Sequence, residues 1–233
     1  MMAMSKTAKL EPVLAQEVRK RRAQLQRKIL RWGRENYRQF PWRQDRTPYR
    51  VLVSEVLLKR TTAQAAAVLY PQCLTRYPDV ETLAQADRRQ LETLLKRIGY
   101  HRRRADILIE VAKYIRDKHG GKIPQNKEAL LEIPHIGPYT AAAILTLGYG
   151  TPSAMVDSNV ERIIRRLFLR FDPKPKAVRE TAEILAPESE NQAYSFALLD
   201  LGALICRYGV PKCGACPLRE PCDYYASNRP RQT

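Results

Sequence analysis

Between Leu131 and Arg170 the chain reads LEIPHIGPYTAAAILTLGYGTPSAMVDSNVERIIRRLFLR. A short helical run, Lys127 to Ile133, meets the turn Pro134-His135-Ile136-Gly137. Pro138 then opens an Ala-rich helix, at a position where its missing N–H costs nothing. Gly137 has no Cβ, so another backbone can approach the amides beside it. A helix N-terminus with free N–H groups takes an anion, and a phosphate fits. The pattern reads as a helix-hairpin-helix that holds a nucleic-acid backbone through His135, Ile136 and Gly137. Such hairpins also occur in proteins that bind duplex without doing chemistry. Twenty residues past Gly137, Asp157 sits in MVDSN, just before the apolar series Val160, Ile163, Ile164 and Leu167. Two readings stand for Asp157: a helix N-cap, the commoner fate of an Asp so placed, or a reactive carboxylate.

Charge narrows the partner. The 233 residues carry 41 Lys and Arg against 24 Asp and Glu, a formal net charge of +17. A balance of that size favours a polyanion, either nucleic acid or an anionic membrane surface. No stretch approaches the ~20 apolar residues of a membrane span. The start, Met1-Met2-Ala3-Met4-Ser5-Lys6, lacks the apolar core of a signal peptide. The expectation is an intracellular, cytoplasmic protein associated with nucleic acid. The basic residues are spread over many helices and not packed into one amphipathic anchor, so nucleic acid outranks membrane.

No strand alternation and no internal repeat emerge, so the chain reads as all-α. Residues 1 to 12 look disordered. From Val13 a long helix carries Leu14, Val18, Leu25, Ile29 and Trp32 on one stripe. Its run Arg19 to Arg22 reads as a solvated face. Thr47-Pro48 starts a helix that is apolar nearly all round, Val51 to Leu58, and therefore buried. Glu55 lies inside it. A buried carboxylate is costly unless it is paired or functional, and a salt bridge to an Arg competes evenly with a role in chemistry. Lys59, Arg60, Thr61 and Thr62 follow, with Thr62 as the cap of a helix to about Arg76. After a helix at Arg88 to Lys96, the segment Ile98 to Arg104 mixes a Gly, two aromatics (Tyr100 and His101) and three arginines. Aromatics among cations suit base stacking with phosphate contact, although such a segment can equally be a basic helix start. Helices are expected over Ala105 to Lys118, Lys176 to Leu185 and Asn191 to Leu204.

Four of the five cysteines close the chain in the spacing Cys206-x6-Cys213-x2-Cys216-x5-Cys222. In a reducing compartment such clustering argues for metal over disulfides. Zinc sites tend to use paired CxxC or CxxC with HxxxH, whereas a loop of this spacing can wrap an iron–sulfur cubane. Spacing alone leaves the two at even odds. Either would be structural, because few residues after Cys206 can fold without it. Cys73 stands alone on an apolar helix and reads as a small buried side chain.

Taken in order, LLKRTT after Glu55, PHIGPYT, MVDSN and the four-cysteine loop resemble the endonuclease III superfamily of helix-hairpin-helix DNA glycosylases. The likeness runs from about Ile29 to Tyr225. Within it the chain most resembles the thymine-DNA mismatch glycosylases, which remove T or U opposite G. FPWR at Phe40 to Arg43, LLKRTTA at Leu57 to Ala63, Tyr139, AMVDSN at Ala154 to Asn159 and CDYY at Cys222 to Tyr225 carry that finer likeness.

The resemblance implies a two-lobed all-α fold. One lobe, residues 41–150, would be a six-helix barrel with the hairpin; the other, 1–40 plus 151–233, would hold a [4Fe–4S] cluster on Cys206, Cys213, Cys216 and Cys222. It raises Asp157 from cap to catalytic carboxylate, beside an oxocarbenium-like sugar. It assigns Glu55 to the base pocket, Lys59 and Arg60 to the vacated stack and the orphaned guanine, and Tyr100 and His101 to a second wedge loop. Tyr139 stands where bifunctional relatives carry an imine-forming lysine, which implies a hydrolase with weak or no lyase activity. The expected partners are mismatched double-stranded DNA and a downstream abasic-site endonuclease; the expected state is a monomer. Two alternatives remain: removal of adenine by the same fold, and binding of distorted DNA without catalysis. Two positions depart from the family pattern. His135 replaces the first hairpin Gly, with a packed neutral imidazole as the expected outcome, and Arg60 replaces a frequent Gln.

Overall fold

The computed structural model describes residues 11–228. The expected disorder of residues 1–10 lies outside that range; Glu11 precedes helix α1, which begins at Pro12, one residue earlier than expected. Of the described residues, 11–37 with 154–228 form one compact unit and Arg38–Ser153 a second. No strand occurs among the described residues. No helix among them is long and apolar enough to cross a membrane.

The first unit is built on α1 (Pro12–Glu35). Its stripe Leu14, Val18, Leu25, Ile29 and Trp32 is buried, as the 3.6-residue period requires. Those side chains pack on Val160, Ile163, Ile164 and Leu167 of α9 (Ser158–Leu167), and on apolar residues of α10 (Pro175–Leu185) and α11 (Asn191–Leu204). Each such burial stabilises by about 1.5–3 kcal/mol. Truncating Leu25, which is fully buried, to Ala is expected to cost about 2–5 kcal/mol. The cysteine loop follows α11 and ends in the short α12 (Asp223–Ser227).

The second unit is organised around α2 (Pro48–Leu58), capped by the Thr47 hydroxyl, which accepts from the Arg50 amide at 3.3 Å. Residues Val51 to Leu57, Glu55 included, are all buried, so the helix is central as expected. Around it run α3 (Ala63–Arg76), α4 (Val80–Ala84), α5 (Arg88–Leu95) and α6 (His101–His119). Thr62 caps α3, accepting from the Ala65 amide at 3.3 Å. Helix α6 starts at His101, four residues before the expected Ala105. Cations in a first turn oppose the helix dipole, which is why the basic run reads as a loop from sequence. The hairpin is α7 (Lys127–Glu132) and α8 (Pro138–Ala143), whose last turns, Ile144–Tyr149, widen into a π-helix.

Candidate nucleic-acid interface and active-site residues

In the second unit the LLKRTT loop, the Gly99-Tyr100 turn and the hairpin are tied together by named bonds. Arg104, on the first turn of α6, is buried, against the expectation of an exposed basic segment. Its guanidinium donates to the carbonyl oxygens of Leu57 (3.4 Å) and Lys59 and to Thr61 Oγ1 (2.7 Å). It thereby satisfies carbonyls left over at the C-terminus of α2. Thr61 Oγ1 in turn donates to the Ile98 carbonyl at 3.1 Å. The Lys59 ammonium donates to the His135 carbonyl at 3.2 Å. Burial pushes the Lys59 pKa below the usual lysine value, and the nearby charge of Glu55 partly restores it.

Arg60 and Tyr100 sit at the tips of two of these loops. Both are exposed, and both hold left-handed backbone, with φ of 54° and 49°. For non-glycine residues that conformation costs about 1–2 kcal/mol each. Gly99, at φ 64° and ψ 171°, occupies a region open only to glycine. The Arg60 guanidinium lies over the Tyr100 ring, 4.7 Å from its centroid. His101 is placed differently: it leans on α5, with Nε2 3.6 Å from Glu92 Oε1, and its Nδ1 is buried without a hydrogen bond.

The hairpin corrects two expectations. His135, where the resemblance leads to an expected Gly, holds left-handed backbone at φ 65° with a side chain attached. Its imidazole is not simply packed at the turn: Nε2 pairs with Glu110 Oε2 on α6. Gly137, by contrast, has an extended backbone (φ −95°, ψ 178°) and nothing within 4 Å of an added Cβ. Its role as a glycine is therefore not dictated by the protein's own packing. Ile136 is buried, and its amide already donates to the Ile133 carbonyl at 3.2 Å. Tyr139 and Thr140 form the first turn of α8, Tyr139 half-buried and Thr140 buried.

In the first unit, Asp157 caps α9. Oδ1 accepts from the amides of Asn159 (2.9 Å) and Val160 (2.8 Å), and Oδ2 accepts from Asn159 Nδ2 at 2.8 Å. The capping geometry is thus realised. Those three donors occupy three of the roughly four acceptor sites of a carboxylate, and the side chain stays half-buried. The cap holds the carboxylate in one orientation.

The residue that orients Asn159 was not singled out from sequence. Arg162, one turn later, donates to Asn159 Oδ1 at 2.6 Å, to the Gly202 carbonyl at 3.0 Å and to the Cys206 carbonyl at 2.7 Å. A Cβ on Gly202 would lie 2.5 Å from Asn159 Cβ, so only glycine lets α11 approach α9 this closely. The i, i+3 spacing of Asn159 and Arg162 was visible; the bond from Arg162 to the Cys206 carbonyl was not.

Cys206, Cys213, Cys216 and Cys222 are half-buried in the loop that follows. Burial pushes the thiols of Cys213 and Cys222 up and that of Cys216 up to about 11, with further raising by neighbouring cysteines. Arg166 donates to Cys206 Sγ at 3.4 Å, and the amides of Tyr224 and Tyr225 bond the Cys222 sulfur. Among the described residues no three His, Cys, Asp or Glu side chains are drawn into the arrangement of a single-ion site. The donor chemistry is nevertheless suited to a soft metal: four thiols in one loop, with N–H donors aimed at sulfur. Cys73 is buried, as expected, and burial pushes its thiol up to about 12.

Comparison with known proteins places these elements. Residues 53–188 match the family model described as HhH-GPD superfamily base excision DNA repair protein. A thymine/uracil-DNA glycosylase of Methanothermobacter thermautotrophicus is 35% identical over 201 residues, 84% of this chain and 91% of its own. A thymine-DNA glycosylase of Aeropyrum pernix is 34% identical over 212 residues, 86% of this chain and 94% of its own. The solved structure of a thermostable thymine-DNA glycosylase superposes with a TM-score of 0.86 at 34% identity, covering 89% of this chain and 98% of that one. The chain therefore belongs to the HhH-GPD superfamily of base excision DNA repair proteins.

Proposed function

We propose that this protein is a monofunctional DNA glycosylase that hydrolyses the N-glycosidic bond of thymine or uracil opposite guanine and leaves an abasic site. The observation that carries the reading is the Asp157 carboxylate, held by three N–H donors at the head of α9. Relatives at 34–35% identity covering 91–94% of their own length are thymine and thymine/uracil glycosylases, whereas adenine glycosylases at 34% are matched over 64% of theirs.

Loss of a base leaves an oxocarbenium-like sugar and a departing base anion. A carboxylate fixed in place stabilises the cation without reorganising during the reaction, and can position the attacking water. Asp157 fills that role. The target must first leave the stack at a cost of a few kcal/mol, less for a mismatched base. Arg60, Lys59, Tyr100 and His101 serve that step, and the hairpin of His135, Ile136 and Gly137 grips the DNA backbone. Glu55, buried in α2, lines the base pocket and polarises the departing base. Tyr139 offers a phenol where an imine would need an amine, so the reaction ends at hydrolysis.

Cys206, Cys213, Cys216 and Cys222 hold a [4Fe–4S] cluster that fixes the loop; as thiolate ligands they bind it with release of protons. Arg166 and the amides of Tyr224 and Tyr225 offer hydrogen bonds to the ligand sulfurs. The lobe that carries the loop, and the barrel expected of residues 41–150, follow the same reading.

The test is a panel of single-mismatch duplexes with separate readouts for base release and strand nicking. Release of thymine or uracil opposite guanine, with nicking only after alkali, is the expected result. Release of adenine instead would select the adenine-removing alternative. Binding without release of any base would leave a binder of distorted DNA. Iron and sulfide in stoichiometric amounts in the purified protein support the cluster; zinc in their place overturns it.

A further inference from the structure

We propose that the outward face of α1 binds a second segment of double-stranded DNA, and that the protein passes directly from one duplex to another through it. The inference goes beyond the glycosylase reading and needs only that the protein binds duplex DNA.

Helix α1 runs from Pro12 to Glu35, and 3.6 residues per turn fix which side chains share a face. Its buried stripe, Leu14, Val18, Leu25, Ile29 and Trp32, faces the core shared with α9, α10 and α11. Across the helix axis from that stripe lie Arg19, Lys20, Arg27 and Arg31, all exposed. From Arg19 to Arg31 the row is about 18 Å long, the rise of about five base pairs. Among the described residues none of the four makes a hydrogen bond or an ion pair; Lys20 acts on Glu17 only through its charge. The cations on the flanks of the helix are occupied. Arg21 bonds Glu17 and the Pro221 carbonyl, Arg22 the Ala186 carbonyl, Lys28 Glu220 and Arg34 Glu190. The run Arg19 to Arg22, uniform in sequence, therefore splits in the fold: two cations reach inward and two stay on the outward row. The neighbouring carboxylate, Glu17, is held by Arg21 and Arg170, so nothing on the helix neutralises that row.

A row of uncompensated cations on a rigid helix attracts a polyanion. Between Arg19 and Arg31 no exposed aliphatic side chain is larger than Ala23, and no aromatic is exposed. The face thus lacks the apolar residues that a membrane-surface helix inserts and the aromatic anchors that dominate protein interfaces. What it offers is phosphate contact without base readout, which suits undamaged duplex of any sequence. The core lies between this row and α9, so the row is a second surface and not an extension of the one that carries Asp157. A second segment can then be gripped before the first is released.

The experiment uses the full chain bound to a short fluorescent duplex with a tetrahydrofuran abasic analogue. Its dissociation rate is followed as unlabelled, undamaged duplex is raised to about 10⁻⁴ M, the weak end of non-specific dissociation constants. In wild type the rate should rise at least about threefold with competitor, and the rise should fade steeply with salt. In Arg19→Gln/Lys20→Gln/Arg27→Gln/Arg31→Gln, which keeps helix propensity, the rate should be independent of competitor. A control, Arg76→Gln/Arg89→Gln/Lys113→Gln/Lys118→Gln, removes equal charge from other exposed positions and should keep the rise. A flat wild type, a rise that survives in the α1 variant, or equal loss in the control overturns the proposal. Binding to polyglutamate or to phosphatidylserine vesicles that the α1 variant loses, with duplex transfer intact, also overturns it and assigns the face to an acidic protein or a membrane. Single-turnover release of thymine or uracil opposite guanine is measured alongside and should be unchanged in the α1 variant. A wild type that transfers between duplexes yet releases no base keeps the α1 surface and refutes the glycosylase reading, whereas one that releases base with a flat rate refutes the α1 surface alone.

Discussion

Asn159 and Gly202 touch so closely that α9 and α11 have no room for a methyl group between them. That contact sits directly behind the carboxylate of Asp157, since Asn159 Nδ2 donates to Oδ2 at 2.8 Å. Gly202→Ala must therefore push Asn159 aside. The expected cost is about 1–3 kcal/mol of stability from overpacking. Base release should slow by roughly tenfold or more, because a shifted amide leaves the acid misaligned. Thermal melting and single-turnover base release check both parts. Unchanged turnover at lowered stability would show that Asn159 does not orient the acid.

Arg104 is a buried cation that serves three acceptors around the LLKRTT loop. Arg104→Met should destabilise by about 1–3 kcal/mol, through carbonyls left unsatisfied. Arg104→Lys keeps the charge but not the fork, so it should also weaken binding to abasic-analogue duplex. Denaturant melts paired with affinity measurements separate the effects.

The packed frame of both units was legible in residues. The stripe of α1, the apolar ring of α2 and the bounds of α3 and α11 follow from period and capping, where local pattern and burial agree. Arg104 escaped because a basic run looks the same whether it faces water or reaches inward to carbonyls distant in sequence. His135 escaped because its partner Glu110 lies 25 residues away on another helix. Asp157 was legible as a cap, but the route from its carboxylate through Asn159 and Arg162 to the Cys206 carbonyl needs the fold.

In the proposed reading, the phenol of Tyr139 denies the site an imine-forming amine. Borohydride trapping of wild type on its abasic product should give no covalent adduct. Tyr139→Lys places an amine on the first turn of α8 and should give a trapped adduct with some strand cleavage. Efficient trapping of wild type would mean that another amine attacks the sugar.

Lys59 gives the interface a pH dependence. Its folded pKa lies below the ordinary 10.5, chiefly through burial. Between those two values the unfolded chain holds a proton that the folded chain has released, so this group's contribution to stability improves as pH rises through the interval. Its charge is lost to DNA over the same interval. The salt slope of DNA binding should fall with rising pH below the range in which an ordinary lysine titrates, and Lys59→Arg should retain the steeper slope there. Identical pH dependence of the slope in wild type and Lys59→Arg would contradict the assignment.

Asp157→Asn tests the account most directly. In Asp157→Asn the side-chain oxygen still accepts the Asn159 and Val160 amides while the new amide group meets Asn159 Nδ2, so stability should fall by about 1–2 kcal/mol, leaving the protein folded and its affinity for mismatched duplex close to wild type. Single-turnover release of thymine or uracil opposite guanine should fall at least about a hundredfold, since the fixed negative charge is gone. A variant that folds, binds normally and still releases the base at the wild-type rate would show that Asp157 only caps α9.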